Sequence, residues 1–354
     1  MSGFFSGLLG RKPADAALVN EKDASKTDSV IYDTKPRLFP SVELETDPTP
    51  GPTSEEQKIV DAIAVQRAEL LKDLPSEPAD DTPRFNADHW LTAQRILLYV
   101  RANKNDQEKA TKRLRATLEW HCQYRPHAIT PEMMRTEGAT GKQYVNGHDR
   151  GGRPIIYMFP HNQNTKDAKE HLRWVVYTME QAIRAMPLGV TKLTIVIDVS
   201  RYSMSQSVPL STAREFLHIL EAHYPERLHK ALVLSPPTMF VMFYHIVAPF
   251  IDPVTKAKIA FVDLAGNKTK SADGPWVDIF DHIAPEQLQS NVGGDWHFKY
   301  EQDAYWEELE KSYSDWIKAT SVADTHSINA DPETIKSEDA KPAEGMQAKE
   351  EQLQ

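Results

Sequence analysis

The chain has 354 residues, 40% hydrophobic and 26% charged, which is the composition of a globular protein with one large domain and room for a small companion. Its 41 basic residues against 51 acidic ones give a formal net charge of −10, whereas a nucleic-acid binder shows a basic excess. The single cysteine, Cys122, excludes an internal disulfide and a cysteine-cage metal site, and a reducing compartment is its natural setting.

The charge is uneven. Residues 321–354 hold three Lys and eight Asp or Glu, and residues 1–53 hold six basic and eight acidic residues, so the body between them is nearly neutral. The acidic total is therefore no objection to contact with an anionic membrane. No stretch reaches the roughly 20 apolar residues of a membrane span. Phe4, Phe5, Leu8 and Leu9 before Arg11 and Lys12 could touch a bilayer surface, but three glycines oppose a helix there and favour a frayed tail.

Residues 1–53 read as a disordered tail rich in Pro, Thr, Asp and Lys, with Pro48, Pro50 and Pro52 close together. A helix is predicted over 55–71, N-capped by Ser54, with Ile59, Ile63 and Leu70 on one face. A helical pair follows over 88–102 and 106–124, so residues 54–126 form a small helical module with a basic face. Beyond Pro131 the period changes. Segments 143–145 and 155–159 read as strands of a hairpin, 167–186 as a long helix, and 193–197 as a buried strand ending at Asp198. A helix over 210–224, a strand at 231–234, an apolar helix over 239–251, a strand at 259–262 and a helix over 303–319 complete the pattern. Strands alternating with helices imply an α/β domain with a mainly parallel sheet, placed at 127–320, before an acidic disordered tail at 321–354.

Motifs for catalysis are missing: there is no phosphate loop, dinucleotide fingerprint, H-E-x-x-H or G-x-S-x-G elbow, and the histidines lack metal-ligand spacing. Cys122, in mid-helix, reads as a core filler. The helix at 239–251 is apolar all round apart from His245 and the Tyr244 hydroxyl, and it is too short to span a bilayer. It is either a core helix buried on every side or the wall of an apolar cavity, with Pro249 as a hinge. Glu226, Thr255 and Lys258 flank it; turn residues by default, they also suit ring hydroxyls and a phosphate.

Gly147-x-Asp149-x-x-Gly152-Arg153-Pro154-Ile155, Ile197-Asp198, His223-Tyr224-Pro225-Glu226-Arg227-Leu228, Pro249-Phe250-Ile251-Asp252-Pro253-x-Thr255-x-x-Lys258 and Gly293-Gly294-Asp295 occur in that order. The set resembles the CRAL-TRIO lipid-binding family, specifically its phosphatidylinositol transfer proteins, over about residues 88–316. The resemblance implies a sheet lining an apolar lipid cavity closed by a gate helix and preceded by a helical module. It implies that Glu226, Lys258, Thr255 and Arg101 hold the headgroup and phosphate, and that the gate carries Phe240, Met242, Phe243, Ile246, Val247 and Phe250. Where family members that exchange phosphatidylcholine carry hydroxyl side chains, this chain has Leu193 and Ile195, which points to the fungal-type subgroup that pairs phosphatidylinositol with a sterol-like neutral lipid. The resemblance further implies no enzyme activity, no metal and no cofactor besides bound lipid, with transient contact to phospholipid membranes. The setting would be cytoplasmic, peripheral to endoplasmic reticulum or lipid droplets. The alternative is an adaptor presenting phosphatidylinositol to a lipid kinase.

Overall fold

The computed structural model describes residues 31–39, 48–203, 209–264 and 274–327, with side chains described to residue 318. The N-terminal apolar residues and most of the acidic tail lie outside the described residues.

The helical module consists of α1 (Ser54–Ala64), α2 (Arg67–Leu71), α3 (Ala87–Trp90), α4 (Ala93–Ala102) and α5 (Gln107–Tyr124). The cap of α1 is Thr53, not Ser54. Its hydroxyl accepts from the Glu56 amide at 3.2 Å while its own amide donates to the Glu56 carboxylate at 2.8 Å, a reciprocal capping box. The helix expected over 55–71 breaks at Val65, which is left exposed while Ile63 and Leu70 stay buried. The helix expected over 88–102 also divides, because the Thr92 hydroxyl caps the Arg95 amide and starts a new helix there. Val60, Ile63, Ile96, Val100, Leu114 and Leu118 meet in the core of the module.

An unanticipated helix, α6 (Pro131–Gly138), follows, with Thr130 capping the Met133 amide and Pro131 in the first turn, where a missing N–H costs nothing. The sheet then forms from β1 (Gln143–His148), β2 (Pro154–Met158), β3 (Leu193–Asp198), β4 (Leu228–Leu234) and β5 (Ile259–Val262), in that spatial order. β1 and β2 are antiparallel and the remaining pairs are parallel. The crossovers are α7 (Ala168–Arg184), α8 (Leu210–His223) and α9 (Thr238–Val247), the last followed by α10 (Pro253–Lys256). In the hairpin turn, Asp149 Oδ1 accepts from the Gly151 and Arg153 amides at 2.9 and 3.0 Å. The Thr194 hydroxyl donates to Asp149 Oδ2 at 2.7 Å. The loop motif is thus a structural turn, tied to the middle of the sheet.

Register assigns the faces. Ile156 pairs with Ile195, Ile195 with Ala231 and Ala231 with Ile259, so these four share one face with Leu193, while Thr194 faces the other way toward Asp149.

Two expected boundaries are corrected. Residues 31–39 and 48–53, assigned to a disordered tail, are bound to the body. Asp33 bridges to Phe298, Leu38 is buried, and the Arg37 guanidinium stacks 3.9 Å over the Trp296 ring. The Thr49 amide donates to the Gly189 carbonyl at 2.9 Å. At the other end α11 (Gln302–Ser327) runs past residue 320, burying Tyr305 and Trp306. Just before it, a Cβ on Gly294 would collide with the Leu288 carbonyl, so only glycine fits that turn.

Candidate ligand-binding cavity

A cavity of about 420 Å³ opens between α4, α5, α8, the start of β3 and β4, and the α9–α10 segment. Its walls include Arg101, Glu226, Thr255, Lys258, Leu193, Ile195 and Phe250, so all six predicted headgroup and cavity residues and one gate residue meet in one place. They come from positions as far apart as 101 and 258, which only the fold brings together. The walls also carry Asp252 of the quoted motif, and Lys104, Arg113, Met179 and Glu221, which sequence reasoning missed. Lys104 and Arg113 lie in the same basic module as Arg101, and that shared position was the only signal for them.

Glu226 sits in the turn between α8 and β4 with φ of 57°, a left-handed conformation that costs a non-glycine residue about 1–3 kcal/mol and persists only where neighbours impose it. Several neighbours do so. The Leu193 amide donates to the Arg227 carbonyl at 2.8 Å, and Arg227 Nη1 donates to the Thr191 carbonyl at 2.9 Å. The Tyr224 hydroxyl donates to Glu180 at 2.7 Å. From the module side, Trp120 stacks on His223 with ring centroids 4.2 Å apart, and Tyr99 donates to Thr117, whose hydroxyl meets His223 Nδ1 at 3.1 Å. Arg113 Nη2 donates to the Glu221 carbonyl at 2.6 Å. The module therefore grips the last turn of α8 and, through it, the Glu226 turn. The price is polar burial: desolvation brings the His223 imidazole down to about 4 and, with Arg95 beside it, the Arg227 guanidinium down to about 10.

The Glu226 carboxylate has two ammonium groups within 4 Å of Oε2, Lys258 Nζ at 3.9 Å and Lys192 Nζ at 3.7 Å. Thr255 is placed by Asp252, whose Oδ1 accepts from the Val254 and Thr255 amides at 2.9 Å each and caps α10. Arg101 is on the wall but already engaged. Its Nε donates to Glu56 Oε1 at 2.8 Å and its Nη2 to the Gly51 carbonyl at 2.8 Å. The pairing holds the Glu56 carboxyl down at about 2 and raises the Arg101 guanidinium. One end of the cavity thus offers an acceptor carboxylate beside an ammonium group, a hydroxyl and a guanidinium, a set that matches a polyol carrying a phosphate.

The sheet wall beside this polar end is hydrocarbon. Leu193 and Ile195 are buried on it, and the hydroxyl between them, Thr194, is spent on Asp149 on the other face of the sheet. A phosphate pressed against this wall would find no donor from those two side chains, at a cost of several kcal/mol.

Helix α9 decides between its two sequence readings. Val241, Tyr244 and Val247 are buried, and Val241, Tyr244 and Ala248 pack with Val233 and Phe261 of the sheet. Met239, Met242 and Ile246 are 47%, 63% and 57% exposed. A core helix buried on every side is therefore excluded; α9 has one ridge on the sheet and one apolar face toward solvent. The gate residues divide accordingly: Met242 and Ile246 point outward, Val247 inward, while Phe240 and Phe243 are half-buried against Tyr202. A 3-10 turn (Ala248–Phe250) containing Pro249 ends the helix. Phe250 lies on the cavity wall and carries the Arg214 guanidinium 4.0 Å over its ring.

Among the described residues no helix is long and apolar enough to cross a membrane, and no three His, Cys, Asp or Glu side chains gather as metal ligands. Burial raises the Cys122 thiol, as expected of a core filler.

The chain is similar to known proteins in sequence and in fold. The model of the CRAL/TRIO domain matches residues 138–294. A CRAL-TRIO domain-containing protein of Schizosaccharomyces pombe is 34% identical over 260 residues, covering 73% of this chain and 24% of that protein. The phosphatidylinositol transfer protein PDR17 of Saccharomyces cerevisiae is 33% identical over 250 residues, covering 67% of this chain and 66% of that protein. The chain thus spans less than two thirds of either relative. The crystal structure of Sfh5 superposes with a TM-score of 0.52 at 14% identity, covering 78% of this chain and all of that one, a likeness of fold.

Proposed function

The chain belongs to the CRAL-TRIO family, and from that premise we propose that it is a carrier that exchanges phosphatidylinositol, together with a sterol-like neutral lipid, between membranes. The observation that carries the reading is the convergence of Glu226, Lys258, Thr255 and Arg101 on one cavity that Leu193 and Ile195 also line. Inositol hydroxyls donate to the Glu226 carboxylate, and the phosphodiester meets Lys258, Thr255 and Arg101. No bond is made or broken, so the protein is not an enzyme. The name of the PDR17 relative supports the choice of lipid.

The cavity volume of about 420 Å³ suits a headgroup and glycerol but not two acyl chains. In this reading the acyl chains extend along the sheet face that the buried ridge of α9 covers. Opening then swings α9 away from Val233 and Phe261 about the Pro249 turn. At a bilayer surface the exposed face of Met239, Met242 and Ile246 enters the acyl boundary, which compensates for the departure of α9 from the sheet. The two states must lie within a few kcal/mol for exchange to be rapid.

Mass spectrometry of lipid co-purifying with the full-length protein tests the ligand assignment. Phosphatidylinositol should be enriched over its share of the host membrane, with a neutral lipid beside it; a load dominated by phosphatidylcholine would overturn the assignment.

A further inference from the structure

Two ammonium groups lie within 4 Å of the same Glu226 carboxylate oxygen, and the two cations are not equivalent. Lys258 is part of the cavity wall, where a lipid phosphate would draw its ammonium group. Lys192 is not among the side chains on that wall, yet its Nζ lies 3.7 Å from the same carboxylate oxygen. Its position follows from the fold. Leu193 on its C-terminal side is hydrogen-bonded to Arg227, and Thr191 on its N-terminal side accepts from Arg227 Nη1. Thr191 is in turn pinned to the N-terminal segment at 48–53, since its amide donates to Thr49 Oγ1 at 3.2 Å and the two hydroxyls lie 2.6 Å apart. The backbone that carries Lys192 is therefore fastened on both sides to the turn that carries Glu226.

The surroundings of Lys192 give its charge one reason to be there. Burial lowers its pKa, Lys258, Arg153 and Arg101 lower it further, and Glu226 opposes them. A half-buried ammonium among other cations is stable only through its carboxylate partner.

We infer that Lys192 is a positioning residue for headgroup recognition: it holds the Glu226 carboxylate as a second cation outside the cavity lining, so that the carboxylate stays in place for the ring hydroxyls when the lipid phosphate engages Lys258. The inference rests on the proposed function above and deepens it. A carboxylate held by Lys258 alone would lose its partner at the moment the ligand arrives. With Lys192 present, one cation serves the phosphate and another serves the carboxylate.

The test uses full-length protein and pyrene-labelled phosphatidylinositol, with Lys192→Met, Lys192→Arg and Glu226→Ala beside wild type, each checked for an unchanged thermal transition. Lys192→Met should weaken binding about three- to tenfold, the range expected when a charge-assisted pairing at a partly exposed site is removed. Lys192→Arg, which keeps the charge, should bind close to wild type. If wild type binds the probe, Glu226→Ala loses it and Lys192→Met binds like wild type, the role of Lys192 is refuted while the lipid assignment stands. Equal losses in the Met and Arg variants, or a lowered melting temperature in both, would mark Lys192 as merely structural and also overturn the inference. Failure of wild type to bind the probe at all would bring down the proposed function and this inference with it.

Discussion

At the Glu226 end of the cavity the walls are fastened by hydrogen bonds to neighbouring elements, whereas at the α9 end a helix packs on the sheet through an apolar ridge and leaves Met239, Met242 and Ile246 exposed. The Glu226 turn is tied to β3 through Arg227, to the helical module through His223 and to α7 through Tyr224. Helix α10, with Thr255, is capped by Asp252. Helix α9 follows Pro237, which offers no side-chain cap, and it gives way after Val247 to the turn that contains Pro249. Hydrogen bonds have directions and resist sliding; apolar contacts have none and can be exchanged for a bilayer or a lipid tail. A carrier needs that division. Recognition calls for a polar end that does not move, and release calls for an apolar end that does.

The largest expected effect breaks the polar end. Glu226→Ala or Lys258→Ala should each cost about 1–3 kcal/mol of phosphatidylinositol binding, because the remaining partners are left half-buried and unsatisfied. Titration with labelled lipid checks this, and unchanged binding in both variants would remove the headgroup assignment.

Breaking the apolar end should leave recognition intact. Met242→Asp combined with Ile246→Asp places charge on the exposed face of α9, so the fold should survive while exchange at membranes is suppressed. Val241→Asp, on the buried ridge, should instead destabilise the protein. Equal transfer by wild type and the double variant would show that α9 does not meet the bilayer. Between the ends, Leu193→Ser with Ile195→Thr should weaken binding of a fluorescent sterol, since each buried aliphatic side chain contributes about 1.5–3 kcal/mol when kept from water.

The smallest effect sharpens the link between the module and the Glu226 turn. Burial holds His223 near 4, below the usual 6.5, so the folded protein resists its protonation while the unfolded chain accepts it. Its contribution to stability is complete above pH 6.5 and is lost progressively as pH falls toward 4. Melting temperatures across that window should fall less steeply for His223→Gln than for wild type; parallel slopes would remove His223 from the account.

Much of this was legible in the order of residues. The sheet strands, α7, α8 and the apolar α9 follow from local periodicity, and the run Leu193-Thr194-Ile195 already places two apolar side chains on one face by alternation. What escaped was non-local. The segment at 31–39 is polar and aperiodic, and its partner, Phe298, lies far along the chain. Lys192 looks like a surface lysine until the β3–β4 register sets it beside Glu226. The two-sidedness of α9 was hidden because both faces are apolar, and only packing tells which one the sheet covers.

The central claim, a fixed polar end that selects phosphatidylinositol and an apolar end that releases it, is tested most directly by lipid transfer between labelled liposomes. Wild-type protein should move phosphatidylinositol rapidly and phosphatidylcholine little, because Leu193 and Ile195 offer the choline lipid's phosphate no donor. Equally efficient exchange of both lipids, or movement of neither, would contradict the account.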